Sequence, residues 1–324
     1  MPRIQVVVQC NLASLGFDEP RLHVDVDMRP SNSLSDWLQR RGRTARAWPE
    51  VRGDRPYQSV MIDRAAQIIK GKRTPCWVSG CGSGKSYMMC MLAQRAAAKG
   101  RRVGVVTVRR LLVKDLSDRF TRFGIPHSVV MAGMKDDGAP NKVASMHTLA
   151  ARECILDVDV LMFDESHTLL STDFRAVIER HSHIPQVMMT ASPCRADGQG
   201  LGRICDELVL GPSTEELIEQ GFLVPSRIFT REIPDVSKIQ QNSSGEFSEP
   251  ELEKVMCRSQ IMGSVIKEWL YRAQNLPTIV HAVNLHHADL IVRRFQEAGV
   301  NAVKISGETP DADRKAAFDD MCAG

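Results

Sequence analysis

Pro75-Cys76-Trp77-Val78-Ser79-Gly80-Cys81-Gly82-Ser83-Gly84-Lys85-Ser86 is the stretch that decides the fold. An apolar strand-like run enters a glycine-rich turn ending in Gly-Lys-Ser. The Met- and Ala-rich residues 86–99 then read as a helix stopped by Gly100. A strand, a Gly-rich turn and a helix in that order form the setting of a phosphate-binding loop. Glycines 80, 82 and 84 leave room for the backbone N–H groups of Gly80, Cys81, Gly82, Ser83 and Gly84 to approach phosphate oxygens. The helix N-terminus adds its dipole. Lys85 suits the β- and γ-phosphates, and the Ser86 hydroxyl suits Mg²⁺. Ser79 stands where the strict pattern has its first glycine.

Working outward, strands and helices alternate. Residues 103–108, 128–131, 158–163 and 186–190 read as strands and 111–123 as a helix. Such alternation predicts an α/β fold, with a parallel sheet flanked by helices. Asp164-Glu165-Ser166-His167 closes the strand at 158–163. A carboxylate there, at the carboxyl edge beside a phosphate loop, can hold the Mg²⁺ shell. Its neighbour Glu165 is then placed to polarise an attacking water. Alone, Asp-Glu after an apolar run is as often a solvated strand end; the upstream loop gives it weight. Met88, Met89 and Met91 read as core filling against the sheet.

Residues 212–221, after a Gly-Pro break, read as a helix at a domain crossing, and 237–249 as a polar loop. A second alternating region follows, with helices at 252–271, 288–298 and 311–321 and strands at 278–282 and 302–305. A doubly wound sheet needs one more strand after 321. The Val-rich run 4–9 is the strand that could supply it, with 23–28 as another and 35–41 as a helix. Residues 47–54 have no periodicity and read as a linker, able to span about 25 Å when extended.

A length of 324 residues suits two domains. The net charge of +3 neither demands nor excludes a nucleic-acid partner. Nine cysteines without a Cys-x-x-Cys pair read as reduced thiols, in neither a disulfide framework nor a zinc site. No run of about 18 apolar residues occurs, so a soluble, cytoplasmic chain without a membrane partner is expected. His147, His281, His286 and His287 lack Cys or carboxylate partners at ligand spacing, so a metal reading is set aside.

The phosphate loop and Asp-Glu-Ser-His box together resemble a superfamily 2 DEAD/DEAH-type helicase, of the group that includes phage and repair helicases. Arg55-Pro56-Tyr57-Gln58 resembles its adenine-reading element, which implies that Gln58, with Arg55, contacts the base. Segments 106–112 and 144–149 resemble strand-gripping motifs, implying nucleic-acid contacts from Arg109, Arg110, His147 and Thr148. Thr190-Ala191-Ser192 matches the motif coupling hydrolysis to domain movement, with His167 as a further coupling residue. Segments 279–285 and 306–314 resemble the first half of the second domain. Leu12 to Pro20 matches a T-x-G-x-D segment with Ser14 for the Thr, implying roles for Gly16 and Asp18 toward nucleotide and Ser14 toward nucleic acid. Gln39 to Arg46 matches Q-x-x-G-R-x-x-R. That implies that Gln39, Arg43 and Arg46 reach the γ-phosphate, the arginines stabilising transition-state charge as arginine fingers do. Read in isolation, Arg40 to Arg46 is a basic solvated helix face.

Only the order departs from the family, because the closing motifs come first. The expectation is two RecA-like domains in a circularly permuted chain. Residues 55–211 form the first, 212–324 with 1–47 the second, and 48–54 the linker. Implied are ATP, Mg²⁺ and DNA as nucleic-acid partner, with ATP hydrolysis between the domains driving movement along a strand. Three alternatives stay open: a nucleotide-gated clamp that does not unwind, an inactive or domain-swapped oligomeric protein, and a motif order created by cutting and rejoining a circular gene sequence.

Overall fold

The structure, a computed structural model, describes residues 3–10, 23–30, 55–134, 136–193, 200–229, 234–241, 247–273 and 276–323. The chain forms two compact units. One comprises Val51–Leu223 and the other Met1–Glu50 with Val224–Gly324.

The chain opens with β1 (Val6–Cys10) and β2 (Val24–Asp27), which belong to the second unit. The phosphate-loop unit then runs α1 (Pro56–Lys70), β3 (Pro75–Val78), α2 (Lys85–Ala97), β4 (Val103–Thr107), α3 (Arg110–Arg122), β5 (His127–Val130), β6 (Asn141–Ser145), α4 (Met146–Arg152), β7 (Val160–Phe163), α5 (Thr172–Arg180), β8 (Gln186–Thr190), β9 (Glu207–Leu210) and α6 (Thr214–Glu219). Its strands lie in the order β5-β6-β4-β7-β8-β3-β9, and every neighbouring pair is parallel. Because β8 lies between β7 and β3, the turns after these three strands share one edge of the sheet. That carboxyl edge is where open α/β sheets bind ligands.

The central strands of this unit are apolar on both faces, as helices on both sides require. Trp77, Met88, Met89, Val105 and Met162 fill one layer, and Phe163, Met188, Leu161 and Leu149 the other. Met88 and Met89 are fully buried, as the sequence led us to expect. The boundary differs from the crossing read at 212. Helix α6 and residues through Leu223 stay with the phosphate-loop unit. The physical reason is local: Phe222 packs its ring against Arg55, 4.5 Å away, and Leu223 closes on Gly82.

The second unit continues with α7 (Glu249–Met256), α8 (Ser259–Arg272), β10 (Thr278–Ala282), α9 (Leu285–Glu297), β11 (Ala302–Ile305) and α10 (Asp311–Cys322). The single helix read over 252–271 is two, parted at Cys257 and Arg258, whose extended backbone (ψ 133°) ends the first register. The sheet order is β11-β1-β10-β2, all parallel. The strand expected over 4–9 is therefore present as β1, inserted between β10 and β11. Val6 and Val8 point into a core with Val280, Ala282, Ile291, Phe295 and Trp269. Trp269 meets Phe295 edge-on at 5.4 Å and donates its indole N–H to Thr278 Oγ1 at 2.9 Å, so its polar end is satisfied. Entry to β1 is fixed from the other end of the chain. The Arg3 guanidinium donates to the Met321 carbonyl at 2.6 Å, and Ile4 N to Asp320 Oδ2 at 2.7 Å.

Candidate functional site

The phosphate loop joins β3 to α2. Gly82 and Gly84 have φ of +80° and +85°, a backbone region costly for residues with a Cβ. Space makes the same demand: a Cβ at Gly82 would lie 2.7 Å from Leu223 Cδ2, and one at Gly84 would collide with Gln58 Nε2. Gly84 precedes α2 directly, so the helix N-terminus begins at Lys85. Lys85 Nζ donates to the carbonyls of Ser79 (2.9 Å) and Gly80 (3.3 Å). Those neutral acceptors are weaker partners for an ammonium than phosphate oxygens.

A clamp holds the outer side of the loop. Arg55 Nη1 donates to Gly82 O at 2.7 Å, Tyr57 Oη to Ser83 O at 2.5 Å, and Gln58 Nε2 to Ser83 O at 3.1 Å. Gln58 is buried, and its Oε1 accepts from Arg55 N at 3.1 Å. Both ends of its amide thus engage backbone around the loop. The sequence reading missed Phe222 and Leu223 as parts of this clamp. Their distance along the chain from the loop left no local signal.

On the same edge, Asp164 and Glu165 follow β7. Asp164 is buried, and Oδ1 accepts from Glu165 N at 2.9 Å. Desolvation pushes its carboxyl up to about 7; Glu165 adds to the shift, and Lys85 opposes it. Glu165 holds a left-handed backbone (φ +51°), a strained position for a side-chain-bearing residue. Its Oε2 is buried without a hydrogen bond, 3.4 Å from His167 Nδ1.

His167 joins this acidic pair to the strand next door. Its Nδ1 lies 3.0 Å from Thr190 Oγ1 at the end of β8. The Thr190 hydroxyl donates to Ser192 O (2.8 Å) and accepts from Ser192 N (3.1 Å). With its proton committed, the hydroxyl can only accept from His167, which assigns the proton to Nδ1. Ser166 reinforces the link by accepting from Met189 N at 2.9 Å. Ser79 N also donates to Thr190 O at 3.1 Å, so one residue touches both the phosphate loop and the acidic box.

The residues present fit a Mg²⁺–nucleotide. A glycine cradle faces a helix N-terminus, and buried Asp164 with part-buried Glu165, whose Oε2 has no hydrogen-bond partner, lies near a lysine. Lys85, Ser86, Asp164 and the loop N–H groups are the groups that would hold it.

Arg109, Arg110, His147 and Thr148 follow the neighbouring strands β4 and β6. Arg109 is half-buried, and its Nη1 has no hydrogen-bond partner. Arg110 reaches Ala132 O at 3.4 Å, and exposed His147 packs edge-on against Phe174. Thr148 is buried, and its hydroxyl accepts from Ala132 N at 3.1 Å, so it holds a turn rather than facing outward. Ser14, Gly16, Asp18, Gln39, Arg43 and Arg46 lie outside the described residues.

This geometry defines the class: a RecA-like phosphate-loop unit with an acidic box hydrogen-bonded to the neighbouring strand end. The unit is similar to those of superfamily 2 helicases. Residues 53–195 match the family described as "Type III restriction enzyme, res subunit". A "51.5 kDa protein" of Lactococcus phage (isolate 7-9) is 25% identical over 233 residues, covering 72% of this chain and 49% of that protein. The "Putative mitochondrial ATP-dependent helicase irc3" of Schizosaccharomyces pombe is 23% identical over 285 residues, covering 82% of this chain and 47% of that protein. The chain thus spans about half the length of these curated relatives. Among solved structures, the UvsW helicase from bacteriophage T4 gives a TM-score of 0.42 at 15% identity, covering 54% of this chain and 66% of that one. Among the described residues, no helix is long and apolar enough to cross a membrane.

Proposed function

We infer that the chain is an ATP-dependent helicase or translocase acting on DNA. One observation carries the reading: Thr190 is hydrogen-bonded both to the phosphate loop, through Ser79, and to the acidic box, through His167. A change at the phosphates therefore has a short, rigid path out of the site. The relative named as an ATP-dependent helicase supports the same class of activity.

In this proposal Lys85 and the loop amides bind and orient the triphosphate, with Gln58 and Arg55 setting the loop and meeting the base. Bound Mg²⁺, held by Ser86 and Asp164, supplies charge neutralisation at the phosphates. Glu165 orients the attacking water and takes its proton. Arg43, Arg46 and Gln39 act at the γ-phosphate, with Gly16 and Asp18 beside the nucleotide. Ser14, Arg109, Arg110 and His147 line the path of nucleic acid, which is held mainly through phosphates and so released by salt. The order of motifs, with β1 and β2 completing a sheet begun by β10 and β11, supports a circularly permuted motor.

The test is ATP turnover by the full chain with Mg²⁺, with and without single-stranded DNA, alongside strand displacement. Stimulated turnover with displacement is the expected result. A folded sample without stimulation overturns the reading. Stimulation without displacement indicates a clamp or translocase in place of a helicase.

A further inference from the structure

Away from the phosphate loop, in the second unit, three side chains of metal-ligating type converge. Glu253 and Cys257 lie one turn apart on α7 and its C-cap, so both project from one helix face. His286 comes from the first turn of α9, 33 residues beyond Glu253, and its Nδ1 is 2.5 Å from Glu253 Oε1. The carboxylate oxygen, the thiol sulfur and an imidazole nitrogen all lie within 4.8 Å of one another. Their sequence spacing carries no metal signal, because α7 and α9 meet only in the folded unit.

We propose that Glu253, Cys257 and His286 form a binding site for one zinc-type divalent cation. Sulfur, nitrogen and oxygen donors together match zinc, whose bonds to them are about 2.0–2.3 Å. Mg²⁺, which prefers about six oxygens in an octahedron, fits this set poorly. One carboxylate, one thiolate and one neutral imidazole balance a dication, so the loaded site is electroneutral. Binding displaces the Cys257 thiol proton to solvent, while the imidazole keeps one proton and offers its other ring nitrogen to the ion. Three protein ligands leave the fourth tetrahedral position to water.

The surroundings hold these donors in place. Asn284, the N-cap of α9, donates to Glu253 Oε2 at 2.6 Å and accepts from His287 N at 2.9 Å, bridging the two helices behind the cluster. Such outer contacts orient ligands. His287 takes no part: it is buried, and its Nδ1 accepts from Val283 N at 3.2 Å. The His286 side chain is 78% exposed, which leaves an open approach for the ion.

The experiment uses the full chain, chelator-treated and nucleotide-free, titrated with Co²⁺ as a spectroscopic stand-in and then with Zn²⁺. The expected result is a thiolate-to-cobalt charge-transfer band that saturates at one equivalent and is abolished by Zn²⁺. Cys257→Ser removes the band, and His286→Ala weakens binding by about tenfold or more. Cys81→Ser, in the phosphate loop, leaves it unchanged. Absence of a band, or a band that survives Cys257→Ser and vanishes in Cys81→Ser, overturns the proposal. Circular dichroism checks that each variant folds. If Cys257→Ser does not, the exposed His286 decides: unweakened cobalt binding by His286→Ala equally overturns it.

Discussion

Gln9 and His281 face each other on adjacent parallel strands, with Gln9 Nε2 2.6 Å from His281 Nδ1, although 272 residues separate them in the chain. The amide donates, so the imidazole carries its proton on Nε2, 3.0 Å from Asp25 Oδ1 on β2. Two buried polar groups therefore join β1 to β10, with the part-buried Asp25 carboxylate of β2 beside them. Gln9→Leu removes the amide and leaves the imidazole nitrogen buried without it. The expected cost is about 1–3 kcal/mol, read as a lower denaturation midpoint for the second unit. An unchanged midpoint would show that this contact does not hold β1.

Lys85→Ala should abolish ATP turnover while leaving the circular dichroism spectrum unchanged, because Lys85 bonds only to carbonyls of its own loop. Gly84→Ala should damage the loop itself, since the position combines φ of +85° with a collision against Gln58. Its signature is lost nucleotide binding together with reduced stability of the first unit. Normal turnover in Lys85→Ala would refute the assignment of the loop.

Thr190→Val keeps the shape of the side chain but removes the oxygen shared by His167 and Ser192. The expected outcome is a loss of coupling: the number of base pairs displaced per ATP hydrolysed should fall by about tenfold, the scale of one lost charge-oriented contact. Thr190→Ser retains the hydroxyl and should keep the ratio. Equal ratios in the two variants would remove the relay from the mechanism.

His287 predicts a pH dependence. Burial pushes its folded pKa down to about 4, below the ordinary value near 6.5. A depressed imidazole pKa means that the folded state disfavours the proton. This stabilisation is complete above about pH 6.5 and is lost as the pH falls toward 4, amounting to up to ~3 kcal/mol. His181, also lowered by burial and accepting from Leu156 N, adds in the same direction in the first unit. Asp136, held down to about 2 mainly by Lys142, loses its contribution only below the usual carboxylate range, while Asp164, raised to about 7 by burial, works in the opposite direction in the first unit, so the midpoint of the second unit is the one that reports His287. Denaturation midpoints across that window should fall for the native chain and flatten for His287→Asn.

The parts legible in the sequence were those with strong local rules. The phosphate loop is written in consecutive residues, and β8 and β11 were read with the boundaries found, because continuous apolar runs mark buried parallel strands. Strand β9 was missed. It lies at the sheet edge with Leu208 and Leu210 exposed, so its pattern resembles a loop more than a buried strand. The split between α7 and α8 has no Gly or Pro to announce it. Thr148 was read as facing nucleic acid, yet its hydroxyl holds Ala132 N, a contact that only tertiary structure creates. The grouping of Glu253, Cys257 and His286 and the hold of Phe222 on Arg55 are likewise products of the third dimension.

The insertion of β1 between β10 and β11 has a consequence for how the molecule is made. A ribosome delivers Val6–Cys10 before the flanking strands, which follow roughly 270 residues later, about 15–50 s at ~5–20 residues per second. Throughout that interval this Val-rich strand has no native neighbour on the nascent chain. Synthesis of the second unit thus depends on keeping this early ribbon from pairing with something else until its neighbours emerge.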